Sequence, residues 1–208
     1  MSTPSLHRLD PRGRPQGLVL MLHGGQQAGH DPVDARSASW QRSRWMQRQL
    51  ARRARAAGVG LWLLRYSRRG WNAGLGPVPS PVPDARWALE EVRRSHGEVP
   101  VVLLGHSMGA RTAVAVADDP AVTGVVALAP WLPPGEPVRP LSGRRFAAAH
   151  GRADRITSFA ATEQFVRRAG SVAQDAELVD MGDAGHYMLR RVGDWNDFAI
   201  SRSLNFLG

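Results

Sequence analysis

At 208 residues and without a single cysteine, the chain excludes disulfide staples, thiolate catalysis and cysteine-based zinc sites. Its formal charge of +9 rests on 27 basic residues, all arginine, which reads as a compositional bias more than a surface built for nucleic acid. No run of about 18 apolar residues occurs, and the first residues lack the apolar core of a signal peptide, so a soluble cytoplasmic chain folded as one domain over residues 1–208 is expected.

Residues 1–16 read as an N-terminal arm with at most a short strand around Leu6 to Leu9, closed by Asp10-Pro11-Arg12-Gly13. Gly17 to Leu22 is a continuous apolar run, the mark of a strand buried on both faces, and it ends in His23-Gly24-Gly25-Gln26. From Ala38 to Ala57, Met46, Leu50, Ala54 and Ala57 form a helical stripe. Arg44, Arg48, Arg52 and Arg55 fall opposite it, as on a solvated outer face. Gly58 stops this helix and a second buried strand runs from Val59 to Tyr66. Ser67 to Pro83, broken by glycines and prolines, reads as a loop. Asp84 can cap the next helix, whose inward face is Ala85, Ala88, Leu89 and Val92, with Glu90 pairing with Arg94.

Val101 to Leu104 opens the stretch on which the chain is organised. It turns through Gly105-His106-Ser107-Met108-Gly109 and continues into Ala110, Thr112 and Ala113, small enough for a buried helix ended by Asp118-Asp119-Pro120. A strand, a sharp turn at G-x-S-x-G and a helix would stand the Ser107 hydroxyl clear of a sheet's carboxyl edge. A Cβ at Gly105 or Gly109 would clash with the crowded backbone there.

A fourth strand follows at Val122 to Ala129, then a loop from Pro130 to Gly143. The short strand Phe146 to Ala149 leads to His150-Gly151-Arg152-Ala153-Asp154. A helix with Phe159, Thr162, Val166 and Ala169 inward precedes the strand Ala176 to Met181. Gly182-Asp183-Ala184-Gly185-His186 then enters a last helix, in one or two pieces, through Phe206. About six apolar strands alternating with helices predict an α/β fold, a doubly wound and mostly parallel sheet covered on both faces.

In such a sheet, chemistry collects at the carboxyl ends of the strands. Those ends carry Ser107, Asp154 and His186, in that chain order. With His23-Gly24-Gly25, the Gly105–Gly109 turn, His150-Gly151 and Gly185-His186, the chain resembles a minimal α/β-hydrolase from about Gly17 to its end.

The resemblance implies a serine hydrolase cleaving ester or thioester bonds of small substrates without cofactor or metal. Ser107 would be the nucleophile, His186 its base and Asp154 the orienting acid. Asp183 is the alternative acid, though three residues on a tight loop make opposing side chains awkward. The oxyanion hole would take backbone N–H groups from Met108 and Gly25, with Gln26 as the alternative to Gly25. His23, His106 and His150 read as structural. Trp71 and Trp131 are candidates for an apolar substrate wall, with core packing equally open. Arg65, Arg68 and Arg69 near the same rim could draw an anionic substrate, a solvated loop being preferred.

The interval Pro130 to Gly143 is too short for an inserted cap, so an open site without a lid is expected. Rival readings are peptide, lactone or carbon–carbon hydrolysis on the same triad, or a binding protein without turnover. A basic nucleic-acid-binding protein is the least favoured. No phosphate loop, zinc motif or strand-linked G-x-G-x-x-G is present.

Overall fold

The computed structural model describes residues 3–73 and 78–208. The part of the expected 67–83 loop that falls on residues 74–77 lies outside the described residues.

The apolar runs of the sequence become the strands of one sheet. These are β1 (Ser5–Leu9), β2 (Gly17–Leu22), β3 (Val59–Arg65), β4 (Val101–His106), β5 (Val122–Leu128), β6 (Arg145–His150) and β7 (Asp175–Asp180). Their order across the sheet is β1-β3-β2-β4-β5-β6-β7, and every pair is parallel except β1 with β3. The sheet thus has seven strands where six were expected. The arm supplies the seventh as an antiparallel edge, Ser5 opposite Arg65 and Leu9 opposite Leu61. The buried Gln47 helps hold that edge, since its Nε2 donates to the carbonyls of His7 and Leu61 at 3.0 and 2.8 Å.

Successive residues of the central strands point to opposite faces, so each strand feeds two cores. Leu20, Leu103, Val125 and Phe146 pack under helices α2 (Pro81–His96), α3 (Met108–Ala115) and α4 (Phe159–Ala169). Val19, Val102, Val126 and Ala147 pack under α1 (Ala38–Ala56) and α5 (Val192–Leu207). The sheet is therefore doubly wound. The crossovers carry the chain back each time and leave every parallel strand's carboxyl end on one edge of the sheet.

Several local expectations change. Helix α2 begins at Pro81 after Ser80, so Asp84 lies in its first turn and does not cap it. Proline fits there because its fixed φ suits a first helical residue whose N–H would go unpaired. Asp84 instead accepts the Ser67 N–H and O–H at 2.7 and 2.8 Å, tying α2 to the end of β3. Glu90 pairs with Arg93 at 2.7 Å, and Arg94 turns to Glu91. On α1, Met46, Leu50 and Ala54 are buried as the stripe requires, but Ala57 lies past the helix end and is exposed. Arg44 folds back on Gln47 and His7, while Arg48, Arg52 and Arg55 face solvent. Helix α3 ends at Ala115, ahead of Asp118, and α5 is a single helix. Phe165 joins the inward face of α4, whereas Phe159 is half-buried. Between Pro130 and Gly143 the chain makes only the short 3-10 turn Arg139–Leu141.

Candidate active site

Ser107 stands between the last residue of β4 and the first of α3, at φ 55° and ψ −119°. Such a conformation is costly for a residue with a side chain and persists only where its surroundings enforce it. Here its N–H donates to the Leu128 carbonyl at 3.0 Å, and its own carbonyl accepts the N–H groups of Ala110 and Trp131 at 3.1 and 3.2 Å. A Cβ on Gly105 would lie 2.4 Å from the Ala110 Cα, and one on Gly109 would lie 2.0 Å from the Leu22 carbonyl oxygen. Both glycines are thus required by close backbone approach.

The loop before α5 brings His186 over this turn. The Ser107 hydroxyl donates to His186 Nε2 at 3.1 Å, and His186 Nδ1–H donates to Asp154 Oδ2 at 2.8 Å. The loop after β6 holds Asp154 with its side chain wholly buried. Its Oδ1 accepts the N–H groups of Ile156 and Thr157 at 2.8 and 2.9 Å, and its Oδ2 also accepts the Thr157 hydroxyl at 2.8 Å. Burial alone would raise this carboxyl's pKa. The hydrogen bonds from His150, His186, Thr157 and Ile156 outweigh it and hold the group well below the usual carboxylate range. Of the two acids considered, the structure brings Asp154 to His186 and leaves Asp183 exposed.

His150 does more than fill the core. Its Nε2–H donates to the same Asp154 oxygen at 3.1 Å, and its Nδ1 takes the Thr162 hydroxyl at 2.8 Å. Its place four residues before the acid was the only signal in the sequence. His23 is buried and neutral: Nδ1–H donates to the Gly24 carbonyl at 2.6 Å, Nε2 accepts the Tyr66 N–H at 3.3 Å, and burial lowers its pKa to about 4. His106 donates from Nε2 to the His186 carbonyl at 3.1 Å. Burial and then the neighbouring His186 push its pKa down to about 3.

The oxyanion candidates separate on their hydrogen bonds. The Gln26 N–H is committed to the Arg69 carbonyl at 2.9 Å. The N–H groups of Gly25 and Met108 bond to no other backbone or side-chain group among the described residues. Gly25 passes so close to Met108 that a Cβ would meet the Met108 sulfur at 2.5 Å and the Arg69 carbonyl oxygen at 2.4 Å.

Ser107 and His186 open into a cavity of about 450 Å³ whose walls include Gly25, Arg42, Arg69, Ile156 and Tyr187. Trp71 and Trp131 do not line it. They meet edge to face at 6.2 Å around a neighbouring cavity of about 530 Å³, beyond Gln26. The Arg111 guanidinium lies 4.2 and 4.5 Å from their ring centres and pairs with Glu136. Of the three rim arginines, Arg65 bonds Ser5 and Arg68 reaches His30, so Arg69 alone faces the Ser107 cavity. Arg42 joins it there from α1, apart from the solvated face of Arg44, Arg48, Arg52 and Arg55 read from the sequence.

Residues 19–201 match the profile of the Alpha/beta hydrolase family. No curated protein matches the sequence. Solved structures share the fold at low identity. An alpha-beta serine hydrolase homologue from Coxiella burnetii is 17% identical, with a TM-score of 0.70 over 96% of this chain and 91% of its own. A serine hydrolase without a lid from Xanthomonas campestris is 17% identical, with a TM-score of 0.67 over 97% and 88%. Esterase 2 of Thermogutta terrifontis is 18% identical, with a TM-score of 0.66 over 97% and 86%.

Proposed function

Because the chain belongs to the alpha/beta hydrolase family, we propose that it is a serine hydrolase cleaving carboxylic ester or thioester bonds of small substrates through an acyl-enzyme on Ser107. The observation that carries this reading is the unbroken relay from the Ser107 hydroxyl through His186 to Asp154, at 3.1 and 2.8 Å.

A serine hydroxyl is a weak nucleophile and needs a base within hydrogen-bond reach. His186 Nε2 takes the Ser107 proton as the oxygen attacks the substrate carbonyl. The imidazolium is stabilised by Asp154, whose carboxylate also keeps the proton on Nδ1 so that Nε2 stays free as acceptor. The negative oxygen of the tetrahedral intermediate is received by the N–H groups of Gly25 and Met108, the latter at the start of α3. Collapse breaks the bond to the alcohol or thiol, which leaves with the proton from His186 Nε2. Water then attacks the acyl-serine, giving up a proton to the same nitrogen, and the second collapse returns that proton to Ser107 and frees the acid.

The esterases and serine hydrolases that share the fold support an ester as the bond cleaved, and the whole chain is read as one catalytic domain. A fluorophosphonate probe tests the proposal directly, since it labels only an activated serine. Labelling at Ser107 is expected in the native protein. In Ser107→Ala, labelling should vanish and turnover of a short aryl ester should fall by several orders of magnitude. A Ser107→Ala protein that keeps most of its turnover refutes the mechanism.

A further inference from the structure

The cavity at Ser107 has a charge bias that the relay does not use. Among the described residues, Arg42 and Arg69 line it and no carboxylate does. Arg69 is partly balanced, with Nε donating to the Pro32 carbonyl at 3.1 Å and a terminal nitrogen 3.7 Å from Asp34. Arg42 has no such balance. It is half-buried, bonds the Tyr187 carbonyl and lies 5.1 Å from that ring, and forms no ion pair among the described residues. Burial lowers its pKa from the usual guanidinium value, as happens to a cation without a counter-charge. Its field reaches the residue next to Ser107: after burial and His186, the Arg42 charge adds to the lowering of the His106 pKa.

A partly buried guanidinium with donors to spare is a receptor for a carboxylate or phosphate, whose oxygens match its planar fork. Ile156 and Tyr187, exposed at the same cavity, add apolar surface and no charge. We propose that Arg42, with Arg69 beside it, binds an anionic group on the substrate, so that the site selects esters carrying a carboxylate or phosphate over neutral ones. The proposal rests on the hydrolase reading above and names its substrate class.

The test compares kcat/KM within matched ester pairs that differ only in charge. Aryl hexanoate against the aryl monoester of adipic acid probes the acyl side. Phenyl butyrate against its 4-carboxyphenyl counterpart probes the leaving side, and phosphonate in place of carboxylate then identifies the oxyanion preferred. The charged member of one pair should be favoured about tenfold or more, as expected for hydrogen bonds to a charged group. That preference should shrink about tenfold in Arg42→Gln and weaken with salt. Arg42→Lys, which keeps the charge and loses the fork, should retain an intermediate preference and serves if Arg42→Gln fails to fold. Equal kcat/KM within both pairs, or a preference that survives Arg42→Gln, overturns the proposal.

Calorimetry with phenylphosphonate on Ser107→Ala protein reads the subsite without turnover. Saturable binding is expected, weakened about tenfold when Arg42→Gln is added. Turnover of neutral esters with no phosphonate binding overturns the anion subsite alone. Phosphonate binding by a native protein that cleaves no ester overturns the hydrolase reading alone.

Discussion

Two imidazoles, His150 and His186, donate to one oxygen of Asp154, while two backbone N–H groups hold the other. Losing the charge of this carboxylate removes the acceptor that keeps the proton on His186 Nδ1. Asp154→Asn should therefore lower kcat for a short ester by about 10⁴-fold, the loss found for the equivalent change in a serine protease. Asp183→Asn, at an exposed position, should cost less than about tenfold; reversed effects in proteins of unchanged Tm would make Asp183 the acid. Gly25→Ala tests the oxyanion arm. Its Cβ would collide with the Arg69 carbonyl and the Met108 side chain, moving the donor away. A kcat loss of about 10²- to 10³-fold is expected, with Tm lowered by a few degrees as the loop gives way. These residues were legible because each sits in a short motif at a strand end. The tryptophans and Arg42 were not. Which side of the Gly25-Gln26 turn a ring falls on, and where the first turns of α1 point, are decided by packing between distant segments.

Helices and strands were legible where burial on both faces writes a continuous apolar run, as in β2, β3 and β4. The arm strand β1 was faint because none of its residues is fully buried, and its pairing with β3 is held by Gln47 of α1 and by Arg65 of β3 itself. The start of α2 was misread for a related reason. Asp84 resembles a cap, but its partner is Ser67, seventeen residues away across a loop and beyond any local pattern. Burial raises the Asp84 pKa, which the Ser67 N–H and hydroxyl partly offset. Asp84→Ala leaves both donors unpaired. It should cost about 1–3 kcal/mol in urea unfolding, while fluorophosphonate labelling of the folded variant persists, because the relay is built from other elements.

The molecule as a whole carries two buried imidazoles that stay neutral while folded, His23 with a pKa of about 4 and His106 with one of about 3. The unfolded chain protonates each below about pH 6.5, so acid favours unfolding. Stability is full near pH 7 and should fall from about pH 6.5 down to the folded values, at roughly 1.4 kcal/mol per pH unit for each histidine. Asp154 adds a further loss below the ordinary carboxylate range, since its folded pKa is depressed. Urea unfolding at pH 7, 6 and 5 checks this, and His106→Asn should remove about half of the slope. The stretch from Pro130 to Gly143 bears on the rate in another way. It makes one 3-10 turn and no helix long enough to fold over Ser107, and the cavity is rimmed by side chains as exposed as Ile156 and Tyr187. Where a closing segment must swing aside, solvent friction sets the pace of release. No segment among the described residues closes over Ser107, so acyl transfer should set kcat, which should stay flat as glycerol thickens the medium. A slope against viscosity would mean that a motion or product release limits it instead.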